Sequence, residues 1–173
     1  MTGATDLRDR LPDQLRPDLR LVFVGTAASA RSAATGHYYA HPGNRFWRTL
    51  HAIGLTPRLY QPHEFPALVA LGIGFTDLCK QGAGMDHVAL KAGVDVDDFI
   101  AKMRRYRPRA IAFTSKKAAG LFFGKPTSAI ALGRQPAHED FPDIFVLASP
   151  SGAASGAWTL EPWLELAAHV AGM

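Results

Sequence analysis

Leu21-Val22-Phe23-Val24-Gly25-Thr26-Ala27-Ala28-Ser29 is an unbroken apolar run that ends at a glycine and passes at once into small and hydroxyl residues. Apolar residues in a row, without alternation, mark a strand buried on both faces, as in parallel sheets. Working outward, Gly72-Ile73-Gly74-Phe75-Thr76-Asp77, Ala110-Ile111-Ala112-Phe113 and Ile144-Phe145-Val146-Leu147 repeat the pattern. Helical spacing lies between them. Phe46, Leu50 and Ile53 follow Pro42-Gly43-Asn44, a short segment covers 64–70, and Phe99, Ile100 and Met103 fall within 96–106. Ala118, Ala119 and Phe122 follow a capping Ser115, and Trp163, Ala167 and Val170 follow a capping Thr159. Residues 26–36 read as a small-residue loop. Alternating strands and helices predict an α/β fold, a single three-layer α/β/α domain over 19–173 with a central, mostly parallel four-stranded sheet. Residues 1–18 hold Pro12 and Pro17 and little apolar periodicity, so a mobile N-terminal lead-in is expected there.

Composition narrows the function. The chain has 173 residues, 47% of them hydrophobic, which suits one domain with a proper core. No apolar run approaches the ~20 residues of a membrane span. A single cysteine, Cys79, excludes an internal disulfide framework and a cysteine-held zinc or iron–sulfur centre, and reads as a packed small hydrophobe. The first residues alternate acids and arginines, unlike a signal or transit peptide, so the expectation is a cytoplasmic protein without cofactor. Nineteen Lys and Arg against fifteen Asp and Glu give a net charge of only +4, but the layout is uneven. No carboxylate lies between Asp18 and Glu64, or between Asp98 and Glu139, while the segment from Glu139 onward has no Lys or Arg. Such segregation builds a basic face suited to a polyanion. Arg104, Arg105 and Arg107 also have a plainer reading, as the basic end of a helix that Asp95, Asp97 and Asp98 open.

In an open α/β sheet the ligand sits beyond the carboxyl ends of the strands. Those ends are 25–29, Thr76-Asp77, Thr114-Ser115 and Ser149-Pro150-Ser151-Gly152, rich in residues that let backbone approach a ligand closely. Familiar motifs fail there. Gly120–Lys125 is one residue short of a phosphate-binding P-loop and follows a helix, Gly72-Ile73-Gly74 lacks the third glycine of a dinucleotide fingerprint, and 149–156 holds no nucleophile elbow. His37 and His41 lack the glutamate of a zinc-protease motif. A small-molecule hydrolase on this sheet therefore has no nucleophile motif to use.

Two segments resemble a known family. Residues 22–29, followed by Gly36-His37-Tyr38-Tyr39-Ala40-His41-Pro42-Gly43-Asn44-Arg45-Phe46-Trp47, resemble the first motif of the mismatch-specific branch of the uracil-DNA glycosylase superfamily. Ser149-Pro150-Ser151-Gly152 resembles its second motif, and the likeness covers roughly 20–170. Tyr38-Tyr39-Ala40-His41-Pro42 is also similar to the hypoxanthine-DNA glycosylase branch. The resemblance implies a monofunctional, monomeric enzyme that flips a deaminated base, uracil first, out of DNA and hydrolyses its N-glycosidic bond, leaving an abasic site. Glycosylases for deaminated purines (hypoxanthine or xanthine), and a uracil-DNA-binding protein without turnover, are the alternatives.

Such chemistry needs an aromatic to stack on the extruded base, backbone groups to read its edge, a wedge for the vacated stack and a water at C1′. The resemblance puts Tyr39 in the stacking position, with simple packing as the alternative. Gly25, Thr26, Ala27, Ser29 and Ser149 join it around the base, while Pro150, Ser151, Gly152, Ala153, Ser155 and Lys116 would contact DNA. Ala27 stands where the family has a water-positioning asparagine, and Ala153 where a wedge leucine is usual. Asp77, ionisable and at the strand exit, is then the first candidate to orient the water, a turn or helix cap being its alternative role. His41 and Asn44 are the next catalytic candidates, with loop-holding hydrogen bonds as theirs, and Ser29 and Ser32 come after them.

Overall fold

The computed structural model describes residues 11–80 and 94–173, the side chain of Ser155 excepted. Strands β1 (Leu21–Gly25), β2 (Ile73–Asp77), β3 (Ala110–Phe113), β4 (Gly133–Arg134) and β5 (Asp143–Val146) form one sheet in the order β2-β1-β3-β5-β4. The first four in that order are mutually parallel, with Gly25 opposite Asp77 and Val24 opposite Phe113.

The unbroken apolar runs have a direct structural cause. Leu21 and Phe23 of β1, Ala110 and Ala112 of β3 and Phe145 of β5 enter one core cluster. Their neighbours Val22, Val24, Ile111, Phe113, Ile144 and Val146 enter a second. Successive side chains of a strand point to opposite faces, so a sheet covered on both sides needs apolar residues at every position. The first face is covered by α2 (Phe46–Ala52), a 3₁₀ run over Pro62–Leu71 and α5 (Glu161–Ala171). The second is covered by α3 (Val96–Tyr106) and α4 (Lys116–Phe123). The three-layer α/β/α architecture follows.

Four expectations need correction. The sheet has five strands, not four, because β4 pairs antiparallel with the edge of β5. It is two residues long, too short to carry any periodicity, and it is held by the Arg134 N–H donating to Glu165 Oε1 at 2.7 Å. Within 26–36, read as loop, Ala30–Thr35 forms a helix, α1, capped by Ser29 and closed by Gly36 in the left-handed region. Thr159 is not the cap of α5; Leu160 holds that position, with no side-chain cap bond. Residues 11–18, expected to belong to a mobile lead-in, are placed against the sheet. Leu11 is buried, Gln14 bridges antiparallel to Phe75, and Asp13 accepts from Thr76 Oγ1 at 2.6 Å and Lys102 Nζ at 2.9 Å and pairs with Lys80. Burial pushes the Asp13 carboxyl up, but those cations and hydrogen bonds outweigh it and leave its pKa below the ordinary value. Residues 1–10 lie outside the described residues.

Candidate active site

Because β1, β2, β3 and β5 run parallel, all four chains leave the sheet at the same end, and a cavity of about 920 Å³ lies there. Its lining joins segments far apart in sequence: 25–29, Tyr38 and Tyr39, His41 and Asn44, Asp77, 114–117 and 148–153. Every residue the sequence singled out for catalysis, base contact or DNA contact is in that lining, apart from Ser155, whose side chain lies outside the described residues.

The floor is made by Asp77, Gly25, Tyr39 and Thr114. Asp77 ends β2 directly opposite Gly25 and is 7% exposed. Its carboxylate occupies the space a Cβ on Gly25 would need, and the Tyr39 hydroxyl closes the same space at 3.3 Å. Gly25 is therefore required by close approach. Burial pushes the Asp77 pKa up to about 6; Lys80 pulls it down and Asp13 pushes it up, each by less. At neutral pH the group is thus largely ionised, yet protonates in a mildly acidic medium.

Tyr39 is partly buried and lies nearly parallel to Phe46, ring centroids 4.0 Å apart and planes 17° from each other. One face of its ring is thereby supported. Its backbone sits at φ 51°, the left-handed region that a bulky residue seldom adopts, and such strain is often stored at functional sites. The Tyr39 and Thr114 hydroxyls share a hydrogen bond at 3.1 Å, and the Thr114 hydroxyl also lies 3.4 Å from the Val24 carbonyl. Burial first, then the charge of Asp77, pushes the phenol pKa up and keeps it protonated.

The loop before α2 is braced from both ends. The buried Ser32 hydroxyl accepts the Ala40 N–H at 3.1 Å, and the Trp47 indole N–H donates to the Tyr38 carbonyl at 3.0 Å. His41 Nδ1 accepts the Gly43 N–H at 3.0 Å, and Asn44 Oδ1 accepts the Phe46 N–H at 2.8 Å. Both catalytic candidates thus also shape their own loop. Ser29 is engaged as the α1 cap, accepting from Ser32 N–H at 3.1 Å. Among the described residues no backbone carbonyl takes up the amide N–H of Thr26, Ala27 or Ala28.

Across the cavity, Ser149 Oγ accepts the Ser151 N–H and Ser151 Oγ accepts the Ala153 N–H, both at 3.3 Å. Pro150 is buried, whereas Gly152 and Ala153 are exposed. Lys116 and its neighbour Lys117 are exposed beside them at the start of α4. Thr114 is what sequence reasoning missed, although a hydroxyl at a strand exit carried a signal. Ser32, a candidate from the sequence to hold the water, lies in the lining with its hydroxyl taken up by the Ala40 N–H. Among the described residues no group of three or more His, Cys, Asp and Glu is placed to hold a metal ion.

Residues 12–168 match the family model described as the uracil DNA glycosylase superfamily. The fold is similar to the solution NMR structure of a candidate uracil DNA glycosylase from Methanosarcina acetivorans. The TM-score is 0.62 at 23% sequence identity, over 93% of this chain and 96% of that one.

Proposed function

This chain belongs to the uracil DNA glycosylase superfamily, and on that premise we propose that it is a DNA glycosylase that flips uracil out of DNA and hydrolyses its N-glycosidic bond. The observation that carries the reading is the floor of the cavity, where a stacked tyrosine and a buried carboxylate lie together beside backbone amides of 26–28. An extruded base would lie on the Tyr39 face not occupied by Phe46, adding a third ring to the stack. Amides at 26–28 would donate to the base edge and stabilise it as it departs as an anion. Asp77 would hold the attacking water and, as a carboxylate, favour the positive charge developing on the sugar. In this mismatch-branch-like site Asp77 takes over a task that Ala27 has no side-chain group to perform. Pro150–Ala153 would enter the minor groove, with Lys116 on a flanking phosphate.

The small side chains of Ala27, Ala28 and Ser149 around a cavity of about 920 Å³ favour one second reading, a deaminated purine such as hypoxanthine. Duplex and single-stranded oligonucleotides carrying one uracil or one hypoxanthine, incubated with the protein and treated with alkali, decide between them. Strand scission at uracil is expected. Scission at hypoxanthine alone moves the substrate to purines, and a retarded band without scission makes the protein a binder.

A further inference from the structure

Arg45 and Phe46, consecutive residues at the start of α2, serve two different loops. Phe46 supports the Tyr39 ring at 4.0 Å. Arg45 contacts the opposite lip of the cavity: its backbone N–H donates to the Pro150 carbonyl at 2.8 Å, and its guanidinium carbon lies 5.3 Å from the centroid of the Trp158 ring. Trp158 in turn leans on the fully buried Trp163, centroids 5.8 Å apart, and the Trp163 indole N–H donates to the Ala148 carbonyl at 3.0 Å. Where the lips meet, a Cβ on Gly152 would stand 3.0 Å from the Gly43 carbonyl oxygen, so the two backbones touch. Arg45 Nη1 is buried with no hydrogen-bond partner among the described residues. An orphaned donor is unfavourable, and it persists where the group is held for another reason. Here that reason is the cation–π contact of the guanidinium with an indole, which arginine makes more favourably than lysine.

We propose that Arg45 is a positioning residue that joins the 149–157 loop to the start of α2, so that the lip entering the groove and the ring receiving the base move as one body. The catalytic consequence rests on the glycosylase reading; the mechanical coupling does not. Extruding a base from a duplex requires the lip to hold the opened stack while the ring captures the base. A single-stranded substrate requires the ring alone. Arg45 therefore matters more on duplex DNA.

The test uses the full chain with Arg45→Met and Arg45→Lys, and two readouts. Without DNA, amide hydrogen exchange over 149–157 should accelerate in Arg45→Met while β1 and β3 keep their protection. With DNA, Arg45→Met should lose roughly tenfold more kcat/KM on duplex than on single-stranded uracil substrate, with Arg45→Lys in between. A purely structural role lowers both substrates alike. Equal losses, or unchanged exchange over 149–157, overturn the proposal. If the wild-type protein cuts neither substrate, the glycosylase reading has failed and the exchange result alone decides the coupling. Should Arg45→Met lose its fold, Trp158→Phe, which leaves a smaller ring under the guanidinium, gives the graded version of both measurements.

Discussion

At the floor of the cavity Asp77 is held under Gly25 with no room for a methyl group between them, and Tyr39 is fixed by Phe46 on its face and Thr114 at its hydroxyl. At the lip, Gly152 and Ala153 are exposed, and the turns that shape the loop are closed by Ser149 and Ser151 from within. The floor keeps an ionisable group dry at a cost in stability, the usual arrangement where a protonation state has to be tuned. The lip is made of small side chains and local bonds that leave backbone free to approach a partner. Changes at the floor should therefore alter catalysis, stability or capture of the base, and changes at the lip should alter the contact with DNA while leaving stability nearly unchanged.

Asp77→Asn should give the largest effect and the clearest break between the two regions. It keeps size while removing the charge, so single-turnover cleavage should fall by about 10²–10⁴-fold with DNA binding retained. The wild-type rate should decline as pH falls through about 6, where the carboxyl protonates, and the variant should lack that limb. Stability should move the other way. A carboxyl raised from 3.8 to about 6 leaves the fold at full stability below about pH 4 and destabilises it as pH rises through 6. Urea unfolding should thus find the variant about 2–3 kcal/mol more stable at pH 7 and equal to wild type near pH 4. A variant that cuts like wild type reduces Asp77 to a structural group and moves the search to His41 and Asn44.

Tyr39 sharpens the same contrast at smaller scale. Tyr39→Ala should lose roughly 1–3 kcal/mol of binding to DNA that carries the damaged base, read by fluorescence anisotropy against undamaged DNA. Tyr39→Phe keeps the stack and gives up the Thr114 bond, so it should cost about 1 kcal/mol, seen in thermal unfolding more than in affinity. At the lip, Lys116→Ala should leave the melting temperature unchanged. It should lower the slope of log affinity against log salt by about one unit for damaged and undamaged duplex alike. An equal loss of melting temperature would place Lys116 with the floor.

Much of this was legible in the chain, for identifiable reasons. Unbroken runs such as 21–24 and 110–113 announce a sheet buried on both faces, and parallel strands then bring their carboxyl ends together, which is why residues as distant as Tyr39 and Ser149 line one cavity. What escaped depended on distance in space. Gly133-Arg134 is a strand only because β5 and Glu165 are beside it. The helix at 30–35 is six residues long, all but Arg31 small, with no apolar stripe to signal it. The partnership of Asp77 with Gly25 could not be read because a register is a property of two strands, not of either sequence. Nor does Arg45 in the sequence point to Trp158, far along the chain and away from any motif.

The antiparallel bridge between Gln14 and Phe75 has a colloidal side. β2 lies at the open margin of the sheet, where unpaired peptide groups invite another molecule's strand. Gln14 both gives and receives a backbone hydrogen bond there, at 2.8 and 3.0 Å to Phe75, and Asp13 with Lys80 and Lys102 lays charge along the same margin. A chain trimmed to begin after Gln14 would keep every cavity residue but Leu11 and would bare a strand of Ile73, Phe75 and Thr76. It should form light-scattering assemblies at concentrations where the intact chain stays dispersed, so the short segment ahead of the first strand acts as a guard against self-association.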